Sequence, residues 1–129
     1  MLTMTTGKED LTIQTVLSPE ELTEAQNIVR DMPIGEALVE SILTLVRALR
    51  PGGTAAQHLI WGAGPRASQA LSLTVRAYAF LEGRTAPTHE DLLTLAPAAL
   101  RHRIALTFGA RAEGMTVDSL IQEQLKQLV

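Results

Sequence analysis

Arg66 stands directly after Pro65 and two residues after Gly64, in the stretch "WGAGPRASQAL" at positions 61 to 71. Proline fits the first position of a helix, and glycine can occupy the cap before it, so Arg66 falls in the first turn. The open N–H groups and the positive dipole end of a helix start attract anions and disfavour cations. An arginine there breaks the local pattern, and such breaks gather where function demands them. The chemistry that suits it is oxyanion recognition: a guanidinium donates two hydrogen bonds to phosphate oxygens and stays ionised, while the helix start faces the same ligand. A solvated arginine near a helix start, or one paired with an acidic neighbour, is the other reading.

Other constellations are weaker. The segment "TTGKED" offers Gly7 and Lys8, but Glu9 replaces the hydroxyl of a phosphate-binding loop and Leu2 stands where its first glycine belongs. His58, His89 and His102 are far apart in sequence and none has a partner at a metal-ligating spacing. Glu20–Glu21 and Glu90–Asp91 fall at predicted helix starts, where the dipole explains them. No Ser/His/Asp or Cys/His arrangement is visible, so the chain carries no complete active site and no metal site.

The elements that must hold Arg66 follow from composition and punctuation. A chain of 129 residues fits one domain with a modest core. Apolar residues make up 46% but aromatics only 3%, so that core is built of Leu, Ile, Val and Ala, a mix that favours helices. The absence of cysteine excludes disulfides and thiolate metal sites. A net charge of −3 gives no footprint for nucleic acid or an anionic membrane. No apolar run reaches the ~18 residues of a membrane span, and "MLTMTTGKED" has no signal-peptide pattern. The expectation is a cytoplasmic protein.

Residues 1 to 17 are polar and Thr-rich, with "LTIQTVL" readable as a linker or edge strand. "SPEEL" starts a first helix: Ser18 as cap, Pro19 at the first position and Glu21 closing a capping box. It runs to about Asp31, with Leu22, Ala25, Ile28, Val29 and Met32 on one stripe, and Pro33 ends it. A second helix spans about Gly35 to Leu49, with Leu38, Ile42, Leu45, Val46 and Leu49 on one face. Residues 50 to 64 read as an irregular connection, of the kind that often carries function.

The third helix runs from Pro65 to near Gly83, so apolar all round that it is expected to be central and mostly buried. Thr88 with Asp91 starts the segment "THEDLLTLAPAALRHRI", which Pro97 is expected to divide into two short helices. "FGARAEGM" reads as a loop, and "TVDSLIQEQLKQLV" as a closing amphipathic helix with Leu120, Ile121, Leu125 and Leu128 on one face. The whole is all-α, with five or six helices.

At this point the residues carry a resemblance. "GAGPRASQAL" is similar to the sensor-2 region in the lid subdomain of MoxR-type AAA+ ATPases, whose pattern is close to Gly-Ala-Ser-Pro-Arg-Ala. "VLSPEELTEAQNIVRDMPI" and "LVESILTLVRALR" resemble that lid's first two helices, and "THEDLLTLAPAALRHRIALTFGARAEGMTVDSLI" its closing segment. The likeness runs in order over about residues 16 to 126. It departs at Gly64, where the family usually has serine, and residues 1 to 15 contain no Walker A, Walker B, sensor-1 or arginine-finger region.

The resemblance implies a small helical lid over residues 18 to 129, with residues 1 to 17 as linker or remnant of an upstream AAA+ core. It implies ATP with Mg2+ bound between core and lid, a homo-oligomeric ring, and chaperone-like remodelling of an unknown client. Arg66 is then the sensor-2 arginine, reaching the γ-phosphate, with Gly64, Pro65 and Trp61 beside the nucleotide. The chain alone is not expected to hydrolyse ATP or to hold a cofactor.

Trp61 either anchors its loop in the core or packs beside the adenine or against the missing ATPase core. Arg101, His102 and Arg103 match the family's Leu-Arg-His-Arg run; cations at a helix end are favoured by the dipole, and a contact with another subunit or the core is the other reading. The closing helix is a core-docking element, since two heptads are short for a coiled coil. Two classes of function stand: an ATPase lid, or an autonomous helical interaction domain that keeps the scaffold without nucleotide.

Overall fold

The computed structural model describes residues 14–128. Its first helix, α1 (Pro19–Asp31), begins as read: Ser18 Oγ accepts from the Glu21 amide at 3.1 Å and the Ser18 amide donates to Glu21 Oε2 at 2.7 Å. The reciprocal box satisfies two of the open groups at the helix start. The apolar stripe is less deeply sunk than its spacing suggests. No α1 residue is buried, Leu22 and Ile28 stay 49% and 46% exposed, and only Met32 beyond the helix end enters the core. Of the preceding segment, residues 14–17 join no strand and the rest lies outside the described residues.

The second helix, α2 (Glu36–Ala48), buries Leu38, Ile42, Leu45 and Val46, with Leu49 at its C-cap, all five as the periodicity requires. The connection after it is not irregular throughout. A 3-10 turn at Ala56–His58 leads into β1 (Leu59–Trp61), which pairs antiparallel with β2 (Ala105–Leu106), Leu59 opposite Leu106 and Trp61 opposite Ala105. A register shift falls between Leu59 and Trp61. So short a strand, paired with a segment distant in sequence, leaves no local period to read.

Helix α3 (Pro65–Leu81) is central, packed against α1, α2 and α4 (His89–Leu100). Its burial follows one line, Ala67, Leu71, Val75 and Ala79, four residues apart; Leu73 and Leu81 stay 45% and 79% exposed. Its all-round apolarity therefore does not mean all-round burial. Gly83 closes it in the left-handed region (φ 70°), with the Gly83 amide on the Phe80 carbonyl and the Arg84 amide on the Ala79 carbonyl, a Schellman motif.

Pro97 does not divide α4, which runs unbroken from His89 to Leu100 with Pro97 buried inside it. Proline removes one helix hydrogen bond and crowds the carbonyl of Leu93, but Leu92, Ala96 and Leu100 are fully buried around it and hold the helix on the core. The chain leaves the helix form soon after, in a 3-10 turn at Arg101–Arg103. "FGARAEGM" is also not all loop: α5 (Phe108–Ala112) forms because Thr107 Oγ1 accepts from the Ala110 amide at 3.3 Å. Helix α6 (Val117–Lys126) starts on a box between Thr116 and Ser119 and buries Leu120, Ile121 and Leu125. Leu128 packs against the core partly buried.

The six helices enclose a core of Leu, Ile, Val and Ala whose largest fully buried side chains include Leu45, Leu49, Leu71, Leu92, Leu100, Leu120 and Ile121. No aromatic ring lies in that core, as the composition implied.

Candidate functional site

Arg66 is exposed at the second position of the 17-residue α3. Gly64 is the N-cap with extended backbone (φ −87°, ψ −179°), no side chain caps the start, and no acidic residue stands in the first turn. Pro65 contributes no N–H. Among the described residues Arg66 enters no ion pair. The competing reading, an arginine neutralised by a carboxylate, thus has no partner here. A helix start without a side-chain cap, beside an exposed cation with five donors, is an arrangement that can receive an oxyanion.

The aim of this helix start is set by the loop before it. The Ala63 amide donates to the Leu49 carbonyl at 2.8 Å, and Arg50 Nε donates to the Ala63 carbonyl at 3.0 Å, strapping the exit of β1 to the end of α2. A Cβ on Gly62 would strike the Leu49 carbonyl, so only glycine allows the two backbones to lie this close. Buried Leu59 and Ala63 anchor the segment, and Trp61, 60% exposed, does not. Ile60 and Trp61, 58% and 60% exposed, are open apolar side chains a few residues before Gly64, Pro65 and Arg66 in the chain. The sequence alone did not single out Arg50 or Gly62; the signal was the pairing of "RPGG" with "WGAG", two glycine pairs bracketing one loop.

Arg101, His102 and Arg103 lie on the 3-10 turn that follows the C-terminal end of α4. Arg101 Nε donates to the Pro97 carbonyl at 3.2 Å and stands 3.5 Å from Asp118 Oδ1, a link between α4 and α6. His102 is exposed, and Arg103 is half-buried with no partner for its Nε among the described residues. The three histidines stay apart. His58 meets Gln57 at 3.0 Å, and His89 Nε2 lies 2.7 Å from Ser41 Oγ, whose hydroxyl donates to the Ala37 carbonyl at 2.9 Å. No group of three His, Asp or Glu side chains could hold a metal among the described residues. No helix there is long and apolar enough to cross a membrane.

The strongest ion pair joins the turn after α3 to the start of α4. Arg84 donates from Nη1 to Asp91 Oδ2 at 2.8 Å and from Nη2 to Oδ1 at 2.7 Å, while the Thr88 amide donates to Oδ2 at 2.7 Å. Hydrogen bonding from Arg84 holds the Asp91 carboxyl below its usual range against the opposing effect of burial, and Asp91 raises the Arg84 guanidinium in return. Arg84 also lies 5.9 Å from the centre of the Tyr78 ring. This pair fixes the α3–α4 turn and not the Arg66 end of α3.

Residues 54–124 match the family model described as the AAA lid domain, more than half of the chain. The chain is 28% identical over 116 residues to the protein named Chaperone MoxR1 of Mycobacterium tuberculosis, covering 86% of this chain and 31% of that protein. It is 30% identical over 114 residues to the uncharacterized protein YeaC of Bacillus subtilis, covering 87% of this chain and 34% of YeaC. A crystal structure from Cytophaga hutchinsonii, of a protein provisionally named an ATPase, superposes over 100% of this chain and 40% of its own, with a TM-score of 0.83 and 30% identity. The chain spans about a third of the length of the curated relatives it matches.

Proposed function

The chain belongs to the AAA lid domain family in its MoxR-type form, and from that premise we propose that it is the lid and sensor-2 module of an AAA+ ATPase, with Arg66 as the residue that meets the γ-phosphate. The observation that carries the reading is the state of Arg66: exposed, without an ion-pair partner among the described residues, at the first turn of a 17-residue helix whose start has no side-chain cap.

The residues present fit a phosphate. Gly64 leaves the α3 start open, Pro65 fixes its direction, and the Arg66 fork supplies charge and paired donors. In the whole protein, ATP with Mg2+ bound mainly by the AAA+ core supplies the phosphoryl group. Phosphoryl transfer is helped chiefly by positioning and by stabilising developing charge, and a cation carried on a separate subdomain does both. The rigid seat of α3, strapped through Ala63 to Leu49 and Arg50, transmits the position of Arg66 to the lid as one body. Trp61 and Ile60, exposed beside it, are the apolar surface that the core or the adenine covers.

The chain's likeness to a relative named a chaperone supports a remodelling role, and AAA+ membership supports an association with a core domain and a ring of subunits. The test is ATP turnover by the full-length protein with Arg66 replaced by alanine. Loss of one transition-state donor predicts a fall of about 10- to 1000-fold; unchanged turnover removes Arg66 from the role.

A further inference from the structure

A cavity of about 610 Å3 lies against the loop that follows α2, between the end of α2 and the end of α6. Its volume falls within the range of small-ligand sites. Two arginines, Arg47 and Arg50, line it, and among the described residues no carboxylate does, in a chain whose net charge is −3. Ala48 and Leu128, both partly exposed, give it an apolar side.

The cavity's charged groups are the Arg47 and Arg50 guanidinium donors, and its buried polar side chain is Gln124. Gln124 is only 5% exposed, and its Oε1 is taken by the Thr54 hydroxyl at 2.8 Å, which leaves the amide N–H groups turned to other partners. No hydrogen bond to that amide nitrogen is formed among the described residues. Two of the lining backbone acceptors are engaged: the Arg47 carbonyl accepts from the Arg50 amide at 3.3 Å and the Ala48 carbonyl from the Ala55 amide at 3.1 Å. Arg50 spends its Nε on Ala63, while Arg47 enters no ion pair among the described residues.

We propose that this cavity is a second ligand site, independent of Arg66, that takes a small molecule carrying an oxyanion on an apolar body. Arg47 receives the oxyanion with help from the Gln124 amide, and the partly exposed Ala48 and Leu128 take the apolar part. A planar guanidinium fork fits a carboxylate with two parallel hydrogen bonds.

The probe is octanoate, titrated into the isotope-labelled chain and followed by backbone and side-chain amide NMR shifts, with 1-octanol as the uncharged control. The expected result is saturable shifts at Gly52, Gly53, Thr54 and the Gln124 side-chain amide with octanoate and not with octanol. Arg47→Met, at an exposed position, weakens octanoate by about 10-fold, the scale of one charge-assisted contact, and Arg47→Lys recovers part of it. Equal binding of octanol, equal binding by Arg47→Met, absence of saturation, or shifts centred on the α2–α3 surface at Val39 and Leu73 overturns the proposal.

Discussion

Arg84 and Asp91 meet through two parallel hydrogen bonds of 2.8 and 2.7 Å, and the same carboxylate accepts from the Thr88 amide, so one buried side chain both caps α4 and anchors the turn from α3. Removing it leaves a guanidinium and a helix start without their acceptor. Because Arg84 is about a third exposed, solvent screens part of the loss. Asp91→Ala is expected to destabilise the domain by about 1–3 kcal/mol in chemical denaturation, combining a lost cap and a broken pair.

The same pair gives the domain an acid limb. Asp91 has a carboxyl lowered in the folded state, so its contribution is present above the unfolded carboxylate range, near about 3.9, and is lost as pH falls through the lowered folded value. Melting temperature measured from pH 7 down to pH 2 is expected to fall less steeply below about pH 4 in Asp91→Asn than in the wild type. An unchanged acid slope in the variant would assign that limb to other carboxylates.

Burial separates two leucines that sequence periodicity treats alike. Leu71 in α3 is fully buried, whereas Leu22 in α1 is 49% exposed. Leu71→Ala is expected to cost about 2–5 kcal/mol, the range for core truncations. Leu22→Ala is expected to cost less than about 1 kcal/mol, as its side chain is already half hydrated. Urea unfolding of both variants checks the ordering, and equal losses would mean that α1 is packed far more tightly than its exposure indicates.

Backbone proximity makes Gly62 the most sensitive position near the site. Gly62→Ala drives a methyl into the Leu49 carbonyl, while Gly64→Ala meets nothing within 4 Å. The first is expected to lose about 2 kcal/mol or more, the upper part of the single-substitution range. Gly64→Ser, which supplies a cap, is expected to gain a few tenths of a kcal/mol. Thermal melts of the three variants decide it; a tolerated Gly62→Ala would show that the β1 exit can move away from α2.

Much of the scaffold was legible because its signals are local. The Ser18–Glu21 box, Pro19 and Asp31 gave α1 its ends, and Leu38, Ile42, Leu45, Val46 and Leu49 gave α2 its buried face. What escaped depends on partners far along the chain. The Leu59–Leu106 pairing has no local period, and Pro97 stays inside α4 because the core around Leu92, Ala96 and Leu100 outweighs its local cost; the start of α5 is a local signal, but it rests on one threonine hydroxyl. Arg66 was visible as a cation at the wrong end of a helix. The strap that aims it, from Arg50 and Leu49 to Ala63, was not, because those hydrogen bonds cross a loop.

Separation of the lid from a phosphate cradle has its own consequence. The chain contains no Walker A motif, and one helix start with one arginine is too few contacts to hold a nucleotide firmly. Isothermal titration of ATP into this chain is expected to give no binding tighter than millimolar, an affinity of about −4 kcal/mol. A micromolar constant would place a complete nucleotide site within these residues.

The central claim is that Arg66 serves a phosphate held by another part of the protein and does nothing for the fold of its own domain. Steady-state ATP turnover by full-length Arg66→Ala, measured beside the unfolding curve of the same substitution in this chain, tests both halves at once. The account expects turnover to fall about 10- to 1000-fold with the unfolding midpoint unmoved. Wild-type turnover in that variant, or a fall in turnover matched by a destabilised domain, would contradict it.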